Sequence, residues 1–130
     1  MNKFHTLQRL LMHPDKLALQ TSQAGMRLIA QLHLYNQQSQ DRLAQFIAES
    51  YHDSLIAQQD VDARLNDLNS RYAALGRLKI KQVLATSKHH VIVALAAEHD
   101  DGFFYSEIKV EDDYPHKITF VMFAPLQEAS

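Results

Sequence analysis

The chain has 130 residues, of which 46% are apolar and 22% are charged, a composition typical of one globular domain with its own hydrophobic core. The net charge is −2, from 13 basic and 15 acidic residues without a block of like charge, which excludes the basic stripe that binds nucleic-acid phosphates. The chain contains no cysteine, which excludes disulfides, thiolate metal sites and cysteine nucleophiles.

The apolar runs near the N-terminus are short. The longest are Leu10-Leu11-Met12 and Leu17-Ala18-Leu19, too short for a signal-peptide core or a membrane span. We therefore expect a soluble, cytoplasmic protein without a membrane partner. No linker rich in glycine, proline or serine divides the chain. This predicts a single domain over residues 1–130, with an extra N-terminal helix at 1–13, a helical part at 14–76 and a sheet at 77–126.

Helical periodicity begins at the N-terminus. The stretch from Phe4 to Met12 predicts a first helix, which Pro14 cannot continue. A second helix is expected between Asp15 and Tyr35. It begins either with Pro14 in its first turn or, in a shorter form, after a cap at Thr21 or Ser22.

Two further helices are expected before residue 77. Asp41 is the predicted N-cap of a short helix that buries four apolar side chains: Leu43, Phe46, Ile47 and Tyr51. The clearest helix follows Asp60 and ends at Gly76, because its apolar residues recur at helical spacing. These residues are Val61, Leu65, Leu68, Tyr72 and Leu75. Polar residues are expected on its other face: Arg64, Asn66, Asp67 and Arg71.

After Gly76 the apolar residues recur at every second position. Four strands are predicted at Leu78–Lys81, Val91–Ala97, Phe103–Glu111 and Ile118–Ala124, joined by turns at 87–90, 99–102 and 112–116. The sequence thus predicts the α+β class, with N-terminal helices packed on a curved antiparallel sheet of about four strands. Two of these strands are apolar on both faces. The sheet face away from the helices must then be covered by a fold-back of the sheet, an N-terminal segment or a second copy, of which we favour the second copy.

The order of these elements resembles the nuclear transport factor 2-like (cystatin-like, α+β cone) superfamily. The closer similarity is to the small domain found ahead of serine β-lactamase-like hydrolases and tail-specific peptidases. It covers roughly residues 22 to 126 and is carried by the stretch Asp41–Tyr51, the Leu75-Gly76 pair and the final run Ile118–Pro125. The resemblance implies a cone-shaped domain that forms a homodimer through its sheet.

Three functions are compatible with this resemblance, because fold alone does not choose among them. The first is a non-catalytic domain that binds a small hydrophobic ligand or a protein partner. The second is a small enzyme related to isomerases, dehydratases or cyclases, using His33, His52 or Tyr72 in an enclosed apolar pocket. The third is an accessory subunit of a separately encoded hydrolase. We favour the first, because the carboxylate that steroid-isomerase chemistry needs inside the cone is not recognisable in the sequence.

The candidate ligand-binding residues are polar-tipped side chains expected near the cone interior: Tyr72, His33, Tyr35, Tyr105, Tyr51 and His52. A triad formed by Tyr51, His52 and Asp53 is disfavoured, because side chains of sequence neighbours diverge. His89, His90 and His116 fall at one end of the predicted sheet, but their spacing is not that of a zinc site. We therefore predict no catalytic residue, no metal site and no cofactor.

Overall fold

The computed structural model describes residues 15–127, in which the helices precede the strands. The helices are α1 (residues 15–20), α2 (Gln23–Gln37), α3 (Gln40–Ser50), α4 (Asp53–Gln58) and α5 (Val61–Leu75). The strands are β1 (Leu78–Thr86), β2 (His90–Ala97), β3 (Asp100–Val110) and β4 (Ile118–Pro125). The predicted α+β class is confirmed. The helix predicted at residues 1–13 lies outside the described residues.

The four strands form one open antiparallel sheet in the order β1-β2-β3-β4, as the short predicted turns require. One turn is placed earlier than expected. Ala97 pairs with Asp100, so the residues between them, Glu98 and His99, make a two-residue hairpin loop. The sequence predicts this turn at 99–102, because Asp100, Asp101 and Gly102 are common turn residues.

Of the two predicted starts of the second helix, α2 has the shorter one, because Ser22 caps it. The Ser22 hydroxyl accepts a hydrogen bond from the Gly25 N–H at 3.0 Å and donates to the Ser87 carbonyl at 2.6 Å. This cap begins α2 and ties it to the turn after β1. The predicted cap at Asp41 is wrong, because α3 begins at Gln40, after Ser39, which is two residues earlier than predicted. Asp41 lies in the first turn of α3, where a negative charge suits the helix dipole.

Helix α4 was not predicted. Its cap is His52, whose Nδ1 accepts a hydrogen bond from the Ser54 N–H at 3.1 Å. The backbone N–H of His52 also donates to the Ile118 carbonyl at 2.8 Å, which fixes this corner against β4. A six-residue helix of this kind leaves too few periodic positions for recognition from sequence.

Helix α5 has the predicted bounds. The Asp60 carboxylate accepts from the Ala63 N–H at 2.9 Å, and the chain leaves the helix at Gly76 with φ of 73°. A side chain is excluded at Gly76 by space as well as by φ, because its Cβ would lie 2.7 Å from the Glu98 carboxylate.

The hydrophobic core lies between the helices and one face of the sheet. Helix α2 packs on β1, β2 and β3, while α3 packs on both α2 and α5. The predicted alternation in β3 is confirmed, since Phe104, Ile108 and Val110 are buried on the helix side. The residues with no exposed surface at all include Leu43, Ile47, Val91, Val93 and Ile118.

No element described in residues 15–127 covers the other face of the sheet, as its exposed apolar side chains indicate. Phe103 and Met122 are 46% and 42% exposed there. Cross-strand pairing places Tyr105 between Ala94 and Ala124 on the same face. We call this surface, formed by Ile92, Ala94, Phe103, Tyr105, Phe120 and Met122, the open sheet face.

Candidate functional site

A cavity of about 210 Å³ lies between α5 and strands β3 and β4. It forms because α5 rests mainly on α2 and α3, which leaves space above the last two strands. We call it the α5 cavity. Its lining is contributed by helices and strands: Gln31, Tyr51, Gln59, Arg64, Asp67, Leu68, Arg71, Ser106, Ile108, Val121, Met122 and Phe123. The sheet side is largely apolar, and the helix side carries the charges.

The wall near α3 and α4 is held by a hydrogen-bond network. The Tyr51 hydroxyl donates to Gln31 Oε1 at 2.6 Å. Arg64 donates to the carbonyls of Gln59 at 2.8 Å and Leu55 at 2.7 Å, and its guanidinium carbon lies 5.1 Å from the centroid of the Tyr51 ring. Arg64 therefore has a structural role, because it binds the carbonyls at the end of α4.

The α5 cavity carries a net positive charge. Its charged lining residues are two arginines, Arg64 and Arg71, and one carboxylate, Asp67, which leaves one positive charge. Asp67 accepts a hydrogen bond from Gln59 Nε2 at 2.8 Å. Within residues 15–127, no carboxylate oxygen lies within 4.0 Å of either arginine. The cavity is thus better suited to an anion than to a cation.

Burial changes the pKa of three groups around this space. It raises the pKa of Tyr51 to about 12, against the opposing influence of the positive Arg64 and Arg71. It also raises the pKa of Tyr35 to about 12. For Arg71, burial lowers the pKa of the guanidinium, because loss of water disfavours the charged form. A positive charge is therefore held here in a poorly hydrated place.

The deeper part of the interior is nearly filled. An inner extension of about 20 Å³ adjoins the α5 cavity, and both are lined by Gln31, Leu68, Arg71, Ser106, Ile108 and Phe123. This extension has room for about one water molecule. A ligand would therefore lie in the α5 cavity, with Arg71 and Ser106 at its inner end.

A shallow groove of about 410 Å³ lies at the other end of the sheet, beside β1 and β2. Most of its polar side chains already have partners. Arg77 and Glu98 pair at 3.2 Å, and the Asn36 amide makes two hydrogen bonds of 2.8 Å with the Leu78 backbone. Lys79 also lines the groove and is exposed. This shallow groove is therefore the weaker candidate for a binding site.

Two of the six predicted ligand-binding residues line the interior space. Tyr51 contributes to the α5 cavity, and Tyr35 to the inner extension, where its hydroxyl donates to the Gly76 carbonyl at 2.8 Å. Tyr72 packs edge-on against Tyr35, with ring centroids 5.5 Å apart, and lines neither space. Tyr35 and Tyr72 thus lie together, and of the three tyrosines only Tyr35 and Tyr51 reach a cavity.

The other three predicted residues lie elsewhere. His33 is on the exposed side of α2, because the buried residues of that helix lie at other positions of its turn. His52 caps α4 and does not line the α5 cavity. Tyr105 is on the open sheet face, since it alternates with the buried Phe104. The expectation that these three side chains face the interior is therefore corrected.

The histidines at the turn end of the sheet separate into two groups. His89 stacks on His116 at 5.6 Å and lies 3.4 Å from Asp112, whereas His90 pairs with Glu107 at 2.7 Å. Among residues 15–127, no group of three or more histidine or acidic side chains is placed to hold a metal ion.

Sequence reasoning missed Arg64, Asp67 and Arg71 as lining residues, because they were assigned to the polar face of α5. The signal was present in their spacing. Arg64 precedes Leu68 by four residues and Arg71 follows it by three, so all three share one side of the helix. Leu68 is the buried residue of α5, which places both arginines at the margin of the inward face.

Comparison with known proteins adds no relative. No family model matches the chain, and neither a curated protein nor a solved structure matches it. Within the described part of the chain, every helix is too short or too polar to cross a membrane. The fold therefore gives an α+β class, with the α5 cavity between its helices and the last two strands.

Proposed function

We propose that this protein is a non-catalytic α+β domain that binds one small molecule in the α5 cavity. The observation that carries the proposal is the cavity itself. It lies between helices and sheet and opens to solvent on one side, it is lined by apolar and polar side chains together, and it continues inward to buried core residues. Small-molecule sites have this character, with apolar walls and a few convergent polar groups. We also propose that the domain belongs to the nuclear transport factor 2-like superfamily. The support is the order of its elements, with helices followed by an antiparallel meander.

The lining favours binding over catalysis. No histidine lines the α5 cavity or its inner extension, and the one carboxylate, Asp67, is on the exposed side and hydrogen-bonded to Gln59. A general base is most often a histidine or a carboxylate within hydrogen-bond reach of the substrate proton, and the pKa of Tyr51, raised to about 12, keeps that hydroxyl protonated at neutral pH. The inner end offers Arg71, Ser106 and Gln31, which are donors, so this site is organised to hold a ligand.

Blocking the cavity tests this proposal. Ser106 lines both the α5 cavity and the inner extension, so Ser106→Leu should fill the inner end with an apolar side chain. We expect small aromatic compounds to raise the melting temperature of the unmodified protein in thermal-shift assays. The compounds are phenol, benzyl alcohol, benzamide and benzoate. A bound ligand at 100 times its Kd adds about 2.7 kcal/mol to the free energy of unfolding. Ser106→Leu should abolish this stabilisation.

The matched control is Ser70→Leu, the same change at an exposed position of α5. The small aromatic compounds should raise the melting temperature of Ser70→Leu as much as that of the unmodified protein. Equal stabilisation of both variants would place the ligand outside the α5 cavity, and the absence of stabilisation by every compound would remove the proposal.

We propose further that the protein is a homodimer through its open sheet face. The support is that two large apolar side chains, Phe103 and Met122, are 46% and 42% exposed on this face, which also carries Ile92 and Tyr105. In a two-fold dimer both subunits use the same surface, and an apolar surface can pack against its own copy. Glu107 also lies on this face, directly between Ile92 and Met122 in the strand register, and its carboxylate pairs with His90 at 2.7 Å.

A charge introduced into this face should prevent the dimer. Phe103→Glu places a carboxylate in the apolar interface and is expected to give monomers in sedimentation or light-scattering measurements at micromolar concentration. Met26→Glu is the matched control, because Met26 is similarly exposed, at 43% against 46% for Phe103, but lies on α2. A monomeric unmodified protein, or a dimer that persists in Phe103→Glu, would contradict the proposed interface.

A further inference from the structure

Arg71 is the unusual residue of the α5 cavity. It lies in the wall shared by the cavity and its inner extension, and its guanidinium carbon is 3.9 Å from the centroid of the Phe123 ring. This distance is that of a guanidinium stacked on an aromatic face. The contact holds Arg71 in place through its flat side and leaves the N–H groups at its edge.

Those N–H groups have no acceptor within residues 15–127. Arg64, two turns earlier on α5, donates to two backbone carbonyls, whereas Arg71 makes no hydrogen bond and no ion pair within the described residues. A buried or half-buried cation is costly without a partner. The acceptor that Arg71 lacks within this part of the chain can be supplied by a ligand in the adjacent cavity.

Other free donors lie beside Arg71. Gln31 Oε1 accepts from the Tyr51 hydroxyl, which leaves the Gln31 amide Nε2 as a donor without a partner in residues 15–127. The Ser106 hydroxyl also makes no hydrogen bond within that range. Three donors therefore line the inner end of a cavity whose net charge is positive. This arrangement recognises an anion.

Shape and charge together limit the kind of anion. The guanidinium edge presents parallel N–H groups that match the two oxygens of a carboxylate. The remaining walls, at Leu68, Ile108, Val121 and Phe123, are apolar and suit a hydrocarbon body. A single uncompensated positive charge matches a monoanion better than a phosphate dianion. The cavity volume of about 210 Å³ is below the range of roughly 300–1,000 Å³ typical of drug-sized ligand sites, which favours a small ligand.

We propose that the α5 cavity binds a small monocarboxylate with a compact apolar body, whose carboxylate accepts paired hydrogen bonds from Arg71. This inference rests on the proposed small-molecule function and names the chemical class of the ligand. The apolar body lies against the sheet, and Ser106 and the Gln31 amide donate to the carboxylate alongside Arg71.

Calorimetric titration of the full chain with matched acids and amides tests the inference. The probes are benzoate against benzamide and isovalerate against isovaleramide, since each pair has almost the same shape and differs in charge. A hydrogen-bonded charged partner contributes about 1.5–3 kcal/mol, which corresponds to a roughly 10- to 150-fold difference in Kd. We expect each acid to bind at least 10-fold more tightly than its amide.

Two variants assign the effect to Arg71. Arg71→Gln removes the charge and should weaken benzoate binding at least 10-fold while leaving benzamide binding nearly unchanged. Arg42→Gln makes the same change at an exposed position of α3 and should have no effect. Arg71→Lys keeps the charge without the planar pair of donors and should give an intermediate affinity. A circular-dichroism melt of each variant establishes that it is folded.

The outcomes separate this inference from the proposed function. If the amides bind as tightly as the acids, or if folded Arg71→Gln keeps full affinity for benzoate, the cavity binds small molecules but not by this chemistry. If inorganic phosphate binds as tightly as benzoate, a general anion site replaces the carboxylate site. If no compound binds, both proposals fail. The acid–amide comparison in the unmodified protein stands even if Arg71→Gln does not fold.

Discussion

Leu43→Ala is expected to lower the free energy of unfolding by about 2–5 kcal/mol. Leu43 has no exposed surface and lies on α3, which packs against both α2 and α5. Removing its three outer carbons leaves a cavity where these helices meet, and the surrounding side chains close it only in part. The loss is a large fraction of the stability of a domain of this size. Urea unfolding followed by circular dichroism measures it.

Leu17→Ala is the matched control, because Leu17 is also a helical leucine but is 56% exposed. Its effect should stay within about 0.5 kcal/mol. If both variants unfolded at the same urea concentration, α3 would not occupy the position between α2 and α5 that encloses the α5 cavity.

The sequence predicted the fold best where one local signal was long and undisturbed. Helix α5 has a cap at Asp60, five apolar residues at helical spacing and a terminal Gly76, and its predicted bounds are confirmed. The meander was predicted because short polar turns leave consecutive strands no arrangement other than antiparallel neighbours. These features depend on residues close together in the chain, so no tertiary information was needed.

Local reasoning failed where a distant residue decides the outcome. Helix α4 begins at His52 partly because its backbone N–H binds the Ile118 carbonyl, a contact across 66 residues that no sequence window contains. Ser22 was one of several possible starts for α2. It is selected by its hydrogen bond to the Ser87 carbonyl, after β1. Both examples are corners where a helix meets the sheet.

The candidate site was predicted only in part, for a similar reason. Periodicity identifies which face of α5 is apolar, but not how far that helix stands from the sheet. Because α5 rests on α2 and α3, its marginal residues Arg64 and Arg71 line a cavity rather than face bulk water. Tyr51 was included for its polar tip, and its partner Gln31 was not, because an amide in the middle of a helix carries no special local signal.

The alkaline stability of the protein should depend strongly on Tyr51. Its pKa is raised from 10.0 to about 12 by burial, so the folded protein keeps the hydroxyl proton at a pH at which the unfolded chain releases it. Between pH 10 and pH 12 the folded state binds more protons, and the free energy of unfolding therefore falls as the pH rises. A difference of two pKa units corresponds to about 3 kcal/mol for this side chain. This contribution of Tyr51 to the free energy of unfolding is fully present below pH 10 and is lost as the pH approaches 12.

Urea unfolding at intervals from pH 9 to pH 12 measures this loss. Comparison of the unmodified protein with Tyr51→Phe and Tyr114→Phe shows whether the loss comes from Tyr51. Tyr51→Phe should be less stable than the unmodified protein at pH 9 by about 1–3 kcal/mol, because Gln31 Oε1 loses its donor. It should then lose less stability up to pH 12, because it has no buried hydroxyl at this position. The decrease in stability with pH that remains in Tyr51→Phe includes the contribution of Tyr35, whose pKa is also raised to about 12 by burial.

Tyr114→Phe, at a side chain that is 89% exposed, is the control and should follow the unmodified protein from pH 9 to pH 12. Parallel curves for the unmodified protein and Tyr51→Phe would mean that the Tyr51 hydroxyl reaches water, and the wall of the α5 cavity between α2 and α3 would then be open.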